Sequence, residues 1–305
     1  MHSKDAYARL ALFGVTERRR SERIEDMGTP TPQQQLGTDV GARGIAAQPL
    51  HRALHAARKV PEITIFFWII KLLTTGMGET TSDYLVFNIN PYVAVALGGI
   101  GLAVALLLQL VVRRYIAWIY WLAALMVAIF GTMIADVIHI VLHVPYLVSS
   151  VCFAVALAII FVAWFASERT LSIHSIYTLR RELFYWATVM ATFALGTAVG
   201  DMTASTLHLG YFVSGLLFAA LFALPALGYR LFGLNAILAF WIAYVMTRPF
   251  GASFADWFGK PQSFSGLGLG TGLISLVLAV LIAGFVGYLT VTHKDIKSAT
   301  TDTGG

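Results

Sequence analysis

The chain has 305 residues, 58% of them apolar and 12% charged, with a mean hydropathy of +0.74. A soluble domain carries about twice that charged fraction, so a water-soluble enzyme or binding module is excluded and a polytopic helical membrane protein is indicated. The formal net charge of +5 requires no nucleic acid, because the basic residues fall mostly in loops and termini, and a single cysteine, Cys152, excludes an internal disulfide.

Residues 1–58, which include ERRRSERIEDMGTPTPQQQLGTDVGARG, are polar and aperiodic and are expected to form a disordered cytoplasmic extension. LALFGV is too short for the apolar core of a signal peptide, and Met27 is an alternative start that would leave 1–26 untranslated. A transmembrane domain is expected over 59–292, with spans at 62–87, 91–112, 115–143, 146–166, 182–208, 210–230, 233–258 and 266–290, each long enough to cross about 30 Å of hydrocarbon. They form four pairs, at 62–112, 115–166, 182–230 and 233–290, before a solvated cytoplasmic tail over 293–305. One set of loops and ends carries Lys59, Arg113, Arg114, Arg169, Arg180, Arg181, Arg230, Lys294 and Lys297, whereas NINP, HVP, LG and FGKPQSFS on the other side contain only Lys260. By the positive-inside rule both termini are cytoplasmic. Glycines in the second span (Gly98, Gly99, Gly101) and at the start of the eighth (Gly266, Gly268, Gly270, Gly272) are expected to allow close helix contact.

The odd-numbered spans repeat one another. Aligned on tryptophan they read WIIKLLTTGMGETTSD, WLAALMVAIFGTMIAD, WATVMATFALGTAVGD and WIAYVMTRPFGASFAD. Trp68, Trp121, Trp186 and Trp241 each precede an aspartate by 15 residues: Asp83, Asp136, Asp201 and Asp256. Gly78, Gly131, Gly196 and Gly251 stand ten residues after the tryptophans. Each unit is thus a motif helix followed by a plain one, and because two helices return the chain to its starting side, the copies are parallel rather than inverted. The expected fold is all-α and transmembrane, with eight helices from four parallel two-helix repeats about a pseudo-fourfold or pseudo-twofold axis along the membrane normal. The tryptophans read either as interfacial belt residues or as packing and cavity-wall residues, and the glycines as helix contacts.

On these residues, and on KVPEITIFFWIIKLLTTGMGETTSD at 59–83, the chain resembles a family of bacterial membrane proteins built from four tandem two-helix repeats of unknown function, one tryptophan per repeat. The resemblance covers about 60–290. It implies an inner-membrane location and no particular substrate, so the chemistry must come from the residues.

At 100° per residue, positions +7, +11, +15, +18 and +22 from each tryptophan share a stripe under about a third of the helix circumference. The stripe holds Glu79 and Asp83 in the first repeat, Asp136, His139 and His143 in the second, Asp201 and His208 in the third, and Arg248 and Asp256 in the fourth, with Lys71 just beside it. An ionised side chain facing lipid costs several kcal/mol, so the stripes are expected to line a shared cavity inside a ring of plain helices. Lys71 and Arg248 can pair with two of the acids Glu79, Asp83, Asp136, Asp201 and Asp256, and the remainder must be protonated or hold a cation. Asp136, His139 and His143 form D-x2-H-x3-H, echoed by Asp201 and His208, a set suited to a divalent metal ion; His143 and His208 also read as residues at span ends. The expected function is transport of a small cation, a divalent metal exchanged against protons. The alternatives are an intramembrane metal-dependent enzyme and a non-transporting membrane scaffold with internal ion pairs, in which the aspartates are structural.

Overall fold

The computed structural model describes residues 58–296. Expectations for 1–57 and 297–305 lie outside the described residues. The fold is all-helical: α1 (Ile65–Asn88), α2 (Pro91–Val111), α3 (Ala117–Asp136), α4 (Tyr146–Glu168), α5 (Leu179–Asp201), α6 (Gly210–Phe232), α7 (Ala236–Gly259) and α8 (Thr271–Thr292). Helix starts follow local chemistry. Thr64, Asn90, Thr178 and Asn235 accept hydrogen bonds from the first free amides of α1, α2, α5 and α7, and Pro91 opens α2 where its missing N–H is not needed. Seven of the eight helices are long and apolar enough to cross a membrane. The other, α1, carries Lys71, Glu79 and Asp83 and packs inside the others, on α3, α7 and α8.

The four motif helices close a ring. α1 packs on α3, α3 on α5, α5 on α7, and α7 returns to α1. Each plain helix lies chiefly on the motif helix of the next repeat: α2 on α3, α4 on α5, α6 on α7, and α8 on α1. The unit of packing is therefore offset by one helix from the unit of sequence, and the last plain helix seals the first motif helix.

Glycine shows the same cyclic order. A Cβ at Gly78 would meet Ala128 at 2.4 Å, at Gly131 Phe193 at 2.9 Å, at Gly196 Arg248 at 2.4 Å, and at Gly251 Thr75 at 2.1 Å. In every case the +10 glycine receives the +7 residue of the next repeat, and the fourth receives that of the first. Between lipid-immersed helices, where hydrophobic drive is weak, such close backbone approach holds the ring together. Of the two symmetries the sequence allowed, the packing is that of the fourfold.

The end of the ring nearest residues 58 and 296, here the terminal end, is floored by aromatic rings. The residue before each tryptophan stacks on the tryptophan of the next repeat: Phe67 on Trp121 at 5.7 Å, Tyr120 on Trp186 at 5.6 Å, Tyr185 on Trp241 at 6.3 Å and Phe240 on Trp68 at 5.7 Å. Such pairs add about 0.5–1.5 kcal/mol each beyond area burial. Trp121, Trp186 and Trp241 are buried and Trp68 is half-buried, so the tryptophans are packing residues rather than a belt.

Three boundary expectations are corrected. α3 and α5 do not continue for two α turns past their aspartates; each passes into one π turn, Val137–Val141 and Met202–Thr206. The eighth helix begins at Thr271 rather than 266, because residues 266–270 fold back on the end of α7: Leu267, Gly268, Leu269 and Gly270 donate their amides to the carbonyls of Trp257, Lys260, Phe258 and Gly259. They thereby satisfy carbonyls that a helix end leaves open. Residues 293–296 are not a free tail, since Asp295 is buried, accepts a 2.6 Å hydrogen bond from Tyr115 Oη and receives the Glu62 amide at its carbonyl. Lys59, counted among the loop cations, is also buried and donates to Glu182 Oε2 at 2.6 Å and to the Leu110 carbonyl at 3.0 Å.

Candidate functional site

Because the motif helices form a ring, residues at equal offsets from the tryptophans make layers along its axis. The +3 layer contributes Lys71 and Tyr244, the +7 layer Phe193 and Arg248, the +11 layer Glu79, Thr132 and Thr197, and the +15 layer the four aspartates. Lys260 follows one turn beyond Asp256.

Arg248 occupies the axis. Its Nη2 shares two N–H bonds among three acceptors, Glu79 Oε2 on α1 at 2.5 Å, Thr132 Oγ1 on α3 at 2.5 Å and Thr197 Oγ1 on α5 at 2.7 Å. One guanidinium thus ties all four motif helices at a single level, with arginine and glutamate both buried. The ring is filled here rather than hollow.

One turn further out lies the acid cluster. Glu79, Asp83 and Asp256 each offer an oxygen such that all three lie within 4.8 Å of one another. Lys260 Nζ stands 3.1 Å from Asp256 Oδ2 and 3.4 Å from Asp83 Oδ2, with Tyr211 Oη 3.3 Å away. Burial works against charge on Lys260, but Asp256, then Asp83, Asp201 and Glu79, outweigh it and hold its ammonium well above the ordinary lysine range. Asp136 and Asp201 are half-buried, make no hydrogen bond or ion pair with a described residue, and lie within Coulombic reach of Glu79 and of each other. Asp256 Oδ1 is buried without a hydrogen-bond partner among the described residues. Five carboxylates therefore face two cations, Arg248 and Lys260, and the excess negative charge is left for protons or a bound cation.

The Repeat of Unknown Function (DUF347) matches residues 66–115, 119–170, 184–232 and 239–295, one match per helix pair. The chain belongs to the DUF347 family. No curated protein and no solved structure matches it. Each DUF347 copy therefore contains one motif helix and one plain helix, although, as the packing shows, the two halves of a copy serve neighbouring positions in the ring.

Within this DUF347 ring the structure separates the expected site residues. Glu79, Asp83, Asp256 and Arg248 come together, with Asp136 and Asp201 beside them. Lys71 does not pair with an acid among the described residues. Its Nζ lies 4.0 Å from the Phe193 ring centre and 4.3 Å from that of Tyr244, three layers below the aspartates. Angular position placed it beside the stripe, but the layer it occupies holds rings and no carboxylate.

The expected metal set Asp136, His139, His143 and His208 is not assembled. His139 is engaged on both ring nitrogens, Nδ1 with the Val144 carbonyl at 2.9 Å and Nε2 with Ser149 Oγ at 3.2 Å. His143 and His208 are exposed and left-handed, at φ 53° and 56°. The cause is the π turn after Asp136 and Asp201: its wider winding breaks the 100° phase that placed the histidines on the aspartate face.

Lys260 was missed, although a lysine four residues after Asp256 was visible. It read as a loop residue because the helix ends at Gly259. The loop that caps α7 lies directly on it, and a Cβ at Gly266 would come 2.0 Å from the Lys260 carbonyl. The GLGLG glycines thus bring a loop onto Lys260 rather than one helix onto another.

Proposed function

We propose that the chain is a transporter of a small cation, exchanged against protons, in the inner membrane of a bacterium with both termini cytoplasmic. The observation that carries this reading is the Lys260 ammonium held between two buried carboxylates, with a third within 4.8 Å. A tethered ammonium neutralises the acids when no ion is bound, and an incoming cation competes with it. Tyr211, 3.3 Å from Nζ through its hydroxyl and 4.9 Å through its ring, receives the displaced side chain. Asp136 and Asp201, without a hydrogen bond or ion pair among the described residues, carry the exchanged protons.

The donor set argues for the class of ion. With imidazole absent from the cluster the ligands are oxygen alone, which suits Mg²⁺, Ca²⁺ or Mn²⁺ better than Zn²⁺. Orientation follows from the basic residues at the terminal end; the single lysine of the opposite loops, Lys260, is turned inward, which sharpens the asymmetry. Arg248, with Nη2 bonded to three helices, is a fixed strut rather than a mobile counter-ion.

Vesicles loaded with a Mn²⁺-quenched dye test the proposal. Reconstituted protein is expected to speed Mn²⁺ entry, and Asp83→Asn or Asp256→Asn to return it to the protein-free rate. Entry no faster than through bare lipid, for Mn²⁺, Mg²⁺ and Ca²⁺ alike, contradicts the cation reading.

A further inference from the structure

The acid cluster leaves unexplained a second set of buried titratable groups, which continues along the same axis through the aromatic floor. The Tyr120 and Tyr185 hydroxyls are hydrogen-bonded to each other at the centre of the floor. Tyr185 and Tyr244 pack on the same ring, Trp241, at 6.3 and 5.4 Å, and the Tyr244 ring carries the Lys71 amine at 4.3 Å. All four residues are buried. On the other side of the pair, Tyr115 packs edge-on to Tyr120 at 5.8 Å and donates to Asp295 Oδ2 at 2.6 Å. Tyr115 and Asp295 line a cavity of about 420 Å³ at the terminal end, together with Arg114 and His293.

Hydrophobic packing alone would place phenylalanine at these positions, as it does at Phe67 and Phe240 in the equivalent places of the first and fourth repeats. The hydroxyls stand on the second and third repeats and face one another across the axis. From the floor to Lys260 the polar file covers 20 residues of helical rise, about 30 Å, which is the thickness of the hydrocarbon layer. Between Lys71 and Glu79 the file passes Arg248, whose Nε and Nη1 are buried without an acceptor among the described residues, a situation that ordered water resolves.

We infer that Lys71, Tyr244, Tyr185, Tyr120, Tyr115 and Asp295 form a proton relay that crosses the aromatic floor between the acid cluster and the terminal-end cavity. The inference rests on the proposed exchange of a cation against protons. It adds the route by which the protons leave. At each hydroxyl one O–H bond forms as another breaks, directly within the Tyr120–Tyr185 and Tyr115–Asp295 hydrogen bonds and, between the other members, through a water that takes one proton and gives up another. One proton is delivered to Asp295, no charge remains on a tyrosine, and rotation of the hydroxyls resets the chain. The floor admits either direction.

Pyranine-loaded proteoliposomes under a valinomycin-set potassium potential read this directly, with Mn²⁺ binding to the same preparations followed by electron paramagnetic resonance. Tyr185→Phe and Tyr120→Phe remove one oxygen each and keep the ring. Each is expected to cut proton flux by at least about tenfold with Mn²⁺ affinity unchanged. Lys71→Met, which keeps the length of the side chain, is expected to fall equally far and provides a second reading should a tyrosine variant fold poorly. Wild-type flux in all three variants overturns the relay, and so does wild-type protein that moves protons no faster than bare lipid. Absence of Mn²⁺ binding together with tyrosine-dependent proton flux sinks the cation reading alone and leaves the relay standing.

Discussion

Arg248→Met is expected to destabilise the protein by about 3–5 kcal/mol, the cost of leaving a buried charge without its partner, and Glu79→Gln in the same chain to restore most of the loss. The single substitution removes all three Nη2 hydrogen bonds, to Glu79, Thr132 and Thr197, and strands a buried carboxylate among other acids. The double variant removes the charge as well as its partner, and neutral replacement of a buried pair by groups of similar volume is often nearly free. Methionine keeps the methylenes against which Gly196 packs, so the comparison isolates the charge. Thermal unfolding in mild detergent measures both variants. An Arg248→Met protein that melts with the wild type removes the strut from the account, and a double variant no better than the single shows that the hydrogen bonds to the threonines, rather than the ion pair, carry the stability.

That pair shows how much of the site could be read from the sequence. The tryptophan, glycine and aspartate spacing marked four equivalent helices, and the 100° phase put Glu79, Arg248 and the aspartates on one face. Phase says nothing of depth. Lys71 and Arg248 read alike as counter-ions, yet Lys71 lies one layer further from the acids, and only Arg248 reaches Glu79 in the +11 layer. Phase also holds only while the helix stays α, which is why His139 and His143 left the predicted face at the π turn after Asp136. The offset between repeat and packing unit was hidden for another reason: adjacent helices in sequence are the default neighbours in space, and nothing in α2 itself says that it prefers α3 to α1. The aromatic residue before each tryptophan, by contrast, was present in all four repeats as Phe67, Tyr120, Tyr185 and Phe240. It was legible as a second repeat signal at the packing end.

The largest functional effect is expected at the two aspartates that have no partner among the described residues. Asp136→Asn and Asp201→Asn are each expected to abolish Mn²⁺ entry into vesicles without lowering the amount of protein in the membrane. Neither carboxylate holds a hydrogen bond or ion pair with a described residue, so neutral amides remove no strut; in a ring already carrying excess negative charge they relieve repulsion. What they remove is proton-carrying capacity and charge next to the cluster. Isotope-free dye quenching compared with membrane abundance, variant by variant, separates the two effects. Unchanged entry in both variants refutes the role given to these residues, and a parallel fall of abundance and entry assigns them to folding.

All of this depends on the first and last repeats meeting, since Glu79 and Asp83 come from α1 and Arg248, Asp256 and Lys260 from α7 and its cap. A Cβ at Gly76 would lie 3.3 Å from Ala255 Cβ, close to the roughly 3.5–4.5 Å that a disulfide spans between Cβ atoms. Gly76→Cys with Ala255→Cys, in a Cys152→Ser background and in native membranes, is therefore the most direct test. Mild oxidation is expected to join the two halves of the chain, so that a cut in the loop between α4 and α5 leaves them linked until reductant is added. Halves that separate without reductant, with both thiols still open to maleimide, would show that the ring does not close and that the acid cluster is never assembled.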